Sequence, residues 1–201
     1  MRRAIAASEH TKDRNITLVN RGYNGATIQD LIRGGDAYGV ISLPYVAGLK
    51  IDKPTVVVIF VGVNDVSLSG DYAEGHNCSD VNQYQQLLHG MVDTARELTD
   101  ASVVLSTVSV YGEKPMYENY HDKNMNEFSK AVYMTSIEQQ TGFADLRGAY
   151  FRYYKQYNSK HPVEAGVLTR SDSVHPSPQG QVLIANEMAK AICDALTYRD
   201  K

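Results

Sequence analysis

The chain has 201 residues, 43% of them apolar, with 20 basic and 23 acidic side chains and a formal net charge of −3. That is enough apolar chain for one domain with a real core, and no charge block or low-complexity tract marks a second. Lysines and arginines are scattered among the acids, which excludes an electrostatic footprint for nucleic acid or an anionic membrane and points to small neutral or polar ligands.

Arg2 and Arg3 open an N-terminus with no apolar run long enough for a signal peptide, and no later stretch reaches transmembrane length, so the default expectation is a soluble, cytosolic chain. Cys78 and Cys193 are the two cysteines. They are too few for a disulfide framework or a metal-ligand cluster, and whether they pair is not readable.

In chain order, residues 16–19 are the first short apolar run of strand type, and 55–61 the clearest, being β-branched or aromatic up to Gly62. Residues 80–98 follow with Val81, Tyr84, Leu87, Leu88, Met91, Val92, Ala95 and Leu98 on one helical stripe, behind Ser79 as the expected cap. A strand at 103–108, a less regular helix over 124–140 and a weak strand at 143–146 come next. Ser177 and Pro178 then announce a last helix, with Val182, Leu183, Ala185, Met188, Ala189, Ile192 and Leu196 facing inward.

Continuous apolar strands alternating with helices indicate a parallel sheet covered on both faces, a flavodoxin-like three-layer α/β/α sandwich. Ligands of such folds sit at the carboxyl ends of the strands. Three polar segments fall there: Asn20-Arg21-Gly22-Tyr23-Asn24-Gly25-Ala26-Thr27 after the first visible strand, Gly62-Val63-Asn64-Asp65 after the second, and Asp172-Ser173-Val174-His175-Pro176 before the last helix. Alone, each reads as a tight turn, a helix cap or an ordinary loop.

Together and in this order they resemble blocks II, III and V of the SGNH (GDSL-like) hydrolases. Residues 104–114, 142–147 and 166–169 also resemble family segments, so the likeness covers about 15–195. It implies an ester hydrolase in which the Gly25 N–H and the Asn64 amide stabilise the oxyanion, His175 is the base and Asp172 holds its tautomer. It implies no metal and no cofactor. Asp65 is expected to cap or fix its turn, and His10, His76, His89, His121 and His161 to be surface or structural residues.

The family's nucleophile lies in Gly-Asp-Ser at the end of the first strand, and this sequence contains no such tripeptide: Gly35-Asp36 precedes Ala37, and Gly70-Asp71 precedes Tyr72. A strand, crossover helix and next strand need about 30 residues, and Gly25 comes too early for that. The expectation is one SGNH domain over 1–201, incomplete at its N-terminus, with the first strand and its serine upstream of Met1. Residues 2–10 would then be the crossover helix and 15–20 the second strand. Two interior sheet edges would stand unpaired, and the isolated chain would be poorly stable or aggregate. Ser8, Ser67, Ser69 and Ser173 lack the strand-to-helix elbow of a nucleophile.

The reading is therefore a carboxylic ester hydrolase of Ser-His-Asp type, its serine absent from this chain, with a small-molecule ester as substrate. The alternative is an inactive relative that binds an acyl or glycan ligand. A third, the spacing Asn-x-Gly-x-x-Gly at 20–25 as a dinucleotide fingerprint, lacks its first glycine. Tyr150, Tyr153, Tyr154 and Tyr157 fit helix packing better than a ligand pocket. Which ester is cleaved and the oligomeric state are not legible.

Overall fold

A computed structural model describes residues 5, 11–37, 40–67 and 76–199. The helix expected over 2–10, apart from Ile5, lies outside these residues, as do Ser8, Ser69 and the Gly70-Asp71-Tyr72 segment.

Thr27 opens the first described helix, α1 (Ile28–Arg33), with a capping box: its hydroxyl accepts from the Asp30 N–H while the Asp30 carboxylate accepts from the Thr27 N–H. A short antiparallel hairpin, β1 (Gly35–Ala37) and β2 (Val40–Ser42), leads into α2 (Tyr45–Asp52). Then come β3 (Val56–Ile59), the five-residue α3 (Val63–Ser67), α4 (Val81–Leu98), β4 (Ser102–Ser106), α5 (Asp122–Glu138), β5 (Gly142–Ala144), α6 (Leu146–Tyr157) and α7 (Pro178–Arg199).

Strands β3, β4 and β5 form a parallel sheet in that order, with Val56 opposite Ser102 and Val104 opposite Gly142. Successive side chains alternate faces, so Val103 and Leu105 join Tyr84, Leu88, Met91, Met125 and Phe128 of α4 and α5 on one side. Val104 joins Leu146, Tyr150, Tyr154, Met188 and Ala191 of α6 and α7 on the other. Each large apolar side chain buried this way contributes about 1.5–3 kcal/mol. The result is the three-layer α/β/α architecture that the sequence pattern requires.

Several sequence expectations shift at their edges. The cap of α4 is Asp80, not Ser79; its carboxylate accepts from the N–H groups of Asn82 and Gln83, which Ser79 stands one residue too early to reach. Ser177 does cap α7, accepting from the Gly180 N–H at 3.1 Å. Met188, Ala189, Ile192 and Leu196 are buried as expected, whereas Val182 is 51% exposed. Tyr150 and Tyr154 are buried against α7, and Tyr157 is exposed.

Residues 16–19 are not a strand. Ile16 and Leu18 pack against Ile5, Ala189, Ile192 and Leu196, beside Val56 and Val58 of β3. Val19 is 55% exposed. A strand needs a neighbour to complete its ladder, and this segment pairs with none among the described residues; it keeps its apolar contacts without the hydrogen bonds. The outer edge of β3 likewise carries no backbone ladder among the described residues.

Candidate active site

Asn64 stands in the first turn of α3, immediately past the carboxyl end of β3. The chain turns there on Gly62, at φ 121°, where an added Cβ would sit 2.9 Å from both the Tyr84 hydroxyl oxygen and Val108 Cγ1. Glycine is required at this position by both backbone and space. Tyr84 supports the turn from below, its hydroxyl donating to the Val61 carbonyl at 2.9 Å.

The Asn64 amide donates one hydrogen to the Ala26 carbonyl at 2.9 Å, which fixes its orientation and leaves the second hydrogen available. Gly25, the neighbour of Ala26, has φ 73°, and its N–H has no partner among the described residues. The structure thus brings two sequence-predicted residues, 39 positions apart by number, into one hydrogen-bonded unit.

Asp65 holds that unit together. It is buried, and its carboxylate accepts from the Ile28 N–H at 3.1 Å and the Cys78 N–H at 3.0 Å. Burial pushes its carboxyl up to about 7, against the lowering effect of the Cys78 and Ile28 donors. The turn-fixing role expected of Asp65 is therefore observed, with α1, α3 and the segment before α4 as the parts it joins. Nearby, His76 Nδ1 lies 2.8 Å from Asp30 Oδ1.

Most donors at the N-terminus of α1 are already engaged: Asp30 takes the Thr27 N–H, Asp65 the Ile28 N–H and Thr27 the Asp30 N–H. Two carboxylates at this helix start weigh against the dinucleotide reading of residues 20–25.

Asp172 and His175 share one tight turn before α7. Asp172 Oδ1 accepts from the N–H groups of Val174 and His175, at 3.0 and 2.8 Å, and Asp172 Oδ2 lies 2.9 Å from His175 Nδ1. The Val174 donor, then those of His175, hold the Asp172 carboxyl below its ordinary range. Ser173 reaches φ 65° to make the turn. The side chains are open to solvent, His175 at 72% and Asp172 at 46%, and His175 Nε2 has no partner among the described residues.

The turn is fastened to the rim through the loop after β4. Gly112 donates to the Ser173 carbonyl at 2.7 Å, and the carboxylate of the fully buried Glu113 receives the N–H groups of Val167, Leu168 and Thr169. That loop is itself held by Arg147, which pairs with Asp122 at 2.6 Å and donates to the Ser109 carbonyl at 2.9 Å, all inside the protein. Both pairs of candidate residues therefore stand on the carboxyl rim of the sheet, carried by the ends of β3 and β4.

Sequence reasoning gave Glu113 no role, although an acid directly after the apolar run 103–111 was the available signal. The Thr27–Asp30 capping box was equally legible and passed over. Cys78 and Cys193 are buried free thiols and do not pair; burial first, then Asp65 and Asp80, pushes the Cys78 thiol up to about 11.

A parallel sheet between two helical layers, with its polar residues gathered at the carboxyl rim, is the arrangement of the SGNH hydrolases and of other doubly wound α/β folds. The sequence profile of the GDSL-like lipase/acylhydrolase family matches residues 3–183, and the chain belongs to that family. Among solved structures it is similar to an acetyl xylan esterase, AlAXEase, at 26% identity and a TM-score of 0.69, over 85% of this chain and 78% of that one. Axe2, an acetylxylan esterase from Geobacillus stearothermophilus, matches at 22% identity and a TM-score of 0.72, over 94% of this chain and 77% of that one. LAE5, an alpha/beta hydrolase enzyme from the metagenome of Lake Arreo, Spain, matches at 23% and 0.70, over 97% and 79%. The last two likenesses speak to the fold alone. No curated protein matches the chain. No helix among the described residues is long and apolar enough to cross a membrane.

Proposed function

We propose that the rim serves carboxylic ester hydrolysis, with the O-acetyl ester of a xylan-type carbohydrate as the first substrate class to test. The observation that carries this is the Asp172–His175 pair: Nδ1 is engaged by a carboxylate and Nε2 is unpartnered and open to solvent. In that state Nε2 can take a proton from an attacking serine hydroxyl, which no Gly-Asp-Ser in this sequence supplies, and return it to the leaving alcohol, while Asp172 stabilises the charged ring. The Gly25 N–H and the free hydrogen of the Asn64 amide would meet the oxyanion of the tetrahedral intermediate. Acetylated xylan is favoured by the likeness to AlAXEase, an acetyl xylan esterase at 26% identity.

A second reading, an inactive protein that binds an acyl or glycan ligand, is favoured by one observation: the sequence has no Gly-Asp-Ser, and no hydroxyl among the described residues bonds to His175 Nε2. One experiment separates the two. The protein purified from its source is treated with a fluorophosphonate ester, the labelled residue is located by mass spectrometry, and acetate release from acetylated xylooligosaccharides is followed in parallel. The hydrolase reading expects one labelled hydroxyl, acetate release, and loss of both in His175→Ala. An unlabelled chain that binds acetylated xylooligosaccharide without cleaving it would be the second protein.

A further inference from the structure

We propose that Glu113 is the positioning residue of the Asp172–His175 loop: its buried carboxylate anchors residues 167–169 to the rim and thereby holds His175 in its working place. This rests on the hydrolase reading for its purpose, though not for its geometry.

Glu113 has no exposed surface, and no basic side chain pairs with it among the described residues. Its Oε1 receives the N–H groups of Val167, Leu168 and Thr169 at 3.0, 2.9 and 2.6 Å and the Thr169 hydroxyl at 2.7 Å. Three consecutive amides aimed at one oxygen are a nest for an anion. The backbone of Glu113 is tied down as well, its N–H donating to the Glu164 carbonyl and its carbonyl accepting from the Asn158 amide.

From this anchor the chain runs directly into the candidate turn. Thr169 bridges Pro176, Arg170 donates to the His175 carbonyl at 2.7 Å, and Ser177 donates to the Leu168 carbonyl at 2.8 Å. Asp172 and His175 orient each other, but their exposed side chains have little packing that could fix where the turn stands on the sheet. That placement passes through residues 167–169 to Glu113, and through Ser173 to Gly112. A buried carboxylate is costly to desolvate unless its hydrogen bonds are complete.

The test is NMR relaxation of the full chain, read as backbone order parameters at residues 170–175. In the wild type these are expected near the rigid value of about 0.85; in Glu113→Ala they should fall below about 0.6. Glu113→Gln should fall less, since its amide oxygen still accepts at the Oε1 position. Leu88→Ala, a truncation in the α4 core, is the control and should leave residues 170–175 rigid.

A folded Glu113→Ala with unchanged order at 170–175, or an equal loss in Leu88→Ala, overturns the proposal. If Glu113→Ala does not fold, Glu113→Gln decides, and unchanged order there overturns it. Hydrolysis of 4-nitrophenyl acetate separates this claim from the functional one. Where the wild type cleaves the ester, Glu113→Ala should lower kcat at least tenfold with little change in KM. A loosened loop in a protein that, purified from its source, cleaves nothing leaves the positioning role standing and removes the hydrolase reading. Full kcat in a folded Glu113→Ala does the reverse.

Discussion

Each half of the candidate site is organised by a buried carboxylate that accepts backbone N–H groups, yet the two halves are built differently. On the Gly25–Asn64 side, Asp65 joins a helix start, a helix turn and the segment before α4, and all three are packed on the core. On the Asp172–His175 side, Glu113 anchors a loop whose working side chains project into solvent. A group that must meet developing charge gains from rigidity and low dielectric, whereas a base that must accept and return a proton needs access and a fixed tautomer. The difference in burial follows that division of labour.

The largest expected effect lies on the exposed side. His175→Ala should reduce ester turnover by about 10⁴-fold or more, because the proton acceptor itself is lost. Asn64→Ala should cost about 10²- to 10³-fold, mainly in kcat, because one of two oxyanion donors remains. Equal losses from both variants, measured on one ester, would break the proposed division.

Gly112→Ala should come next and act on stability as well as turnover. Gly112 has φ 112°, and an added Cβ would collide with the Asn119 side chain that braces the loop. Backbone strain alone should cost about 1–3 kcal/mol, and a shift of this loop would pull its N–H away from the Ser173 carbonyl. Denaturant unfolding of this variant, compared with Gly90→Ala on the open face of α4, measures the difference.

The pH response should belong to the Asp65 side. Burial pushes the Asp65 carboxyl up to about 7 in the folded chain, against about 3.9 for an exposed aspartate. Between these values the folded state keeps a proton that the unfolded state has released, so stability should fall as pH rises from about 4 to about 7, then level off. The fall should be on the order of a few kcal/mol. Asp65→Asn should flatten it, and Tm measured across that range for both proteins is the check. An unaltered slope in Asp65→Asn would mean that another group carries the response.

Much of this architecture was legible from local pattern. The β-branched run before Gly62, the stripe from Val81 to Leu98 and the Ser177-Pro178 start each express a short-range preference that the tertiary fold preserves. Residues 16–19 show the limit of that reasoning. Their apolar content matches a strand, but a strand is a property of two chains side by side, and here Ile16 and Leu18 found apolar partners on α7 without a ladder. The hairpin at 35–42 and the one-turn α3 were missed because segments this short carry no period to detect.

By itself the sequence determined the layered class of the fold and the polar residues at the strand ends, which depend on alternation and composition. The pairing of Asp172 with His175 was implied by the resemblance to the SGNH hydrolases, since a three-residue spacing alone fits any loop. Only the tertiary structure decided that Asn64 is held by the Ala26 carbonyl, that Asp65 bridges α1 to the segment before α4, and that Glu113 anchors the loop of the candidate base. Those contacts join residues 13 to 56 positions apart. Burial creates them: once a carboxylate is removed from water it must find donors wherever the packed chain presents them, and no local rule says where that will be.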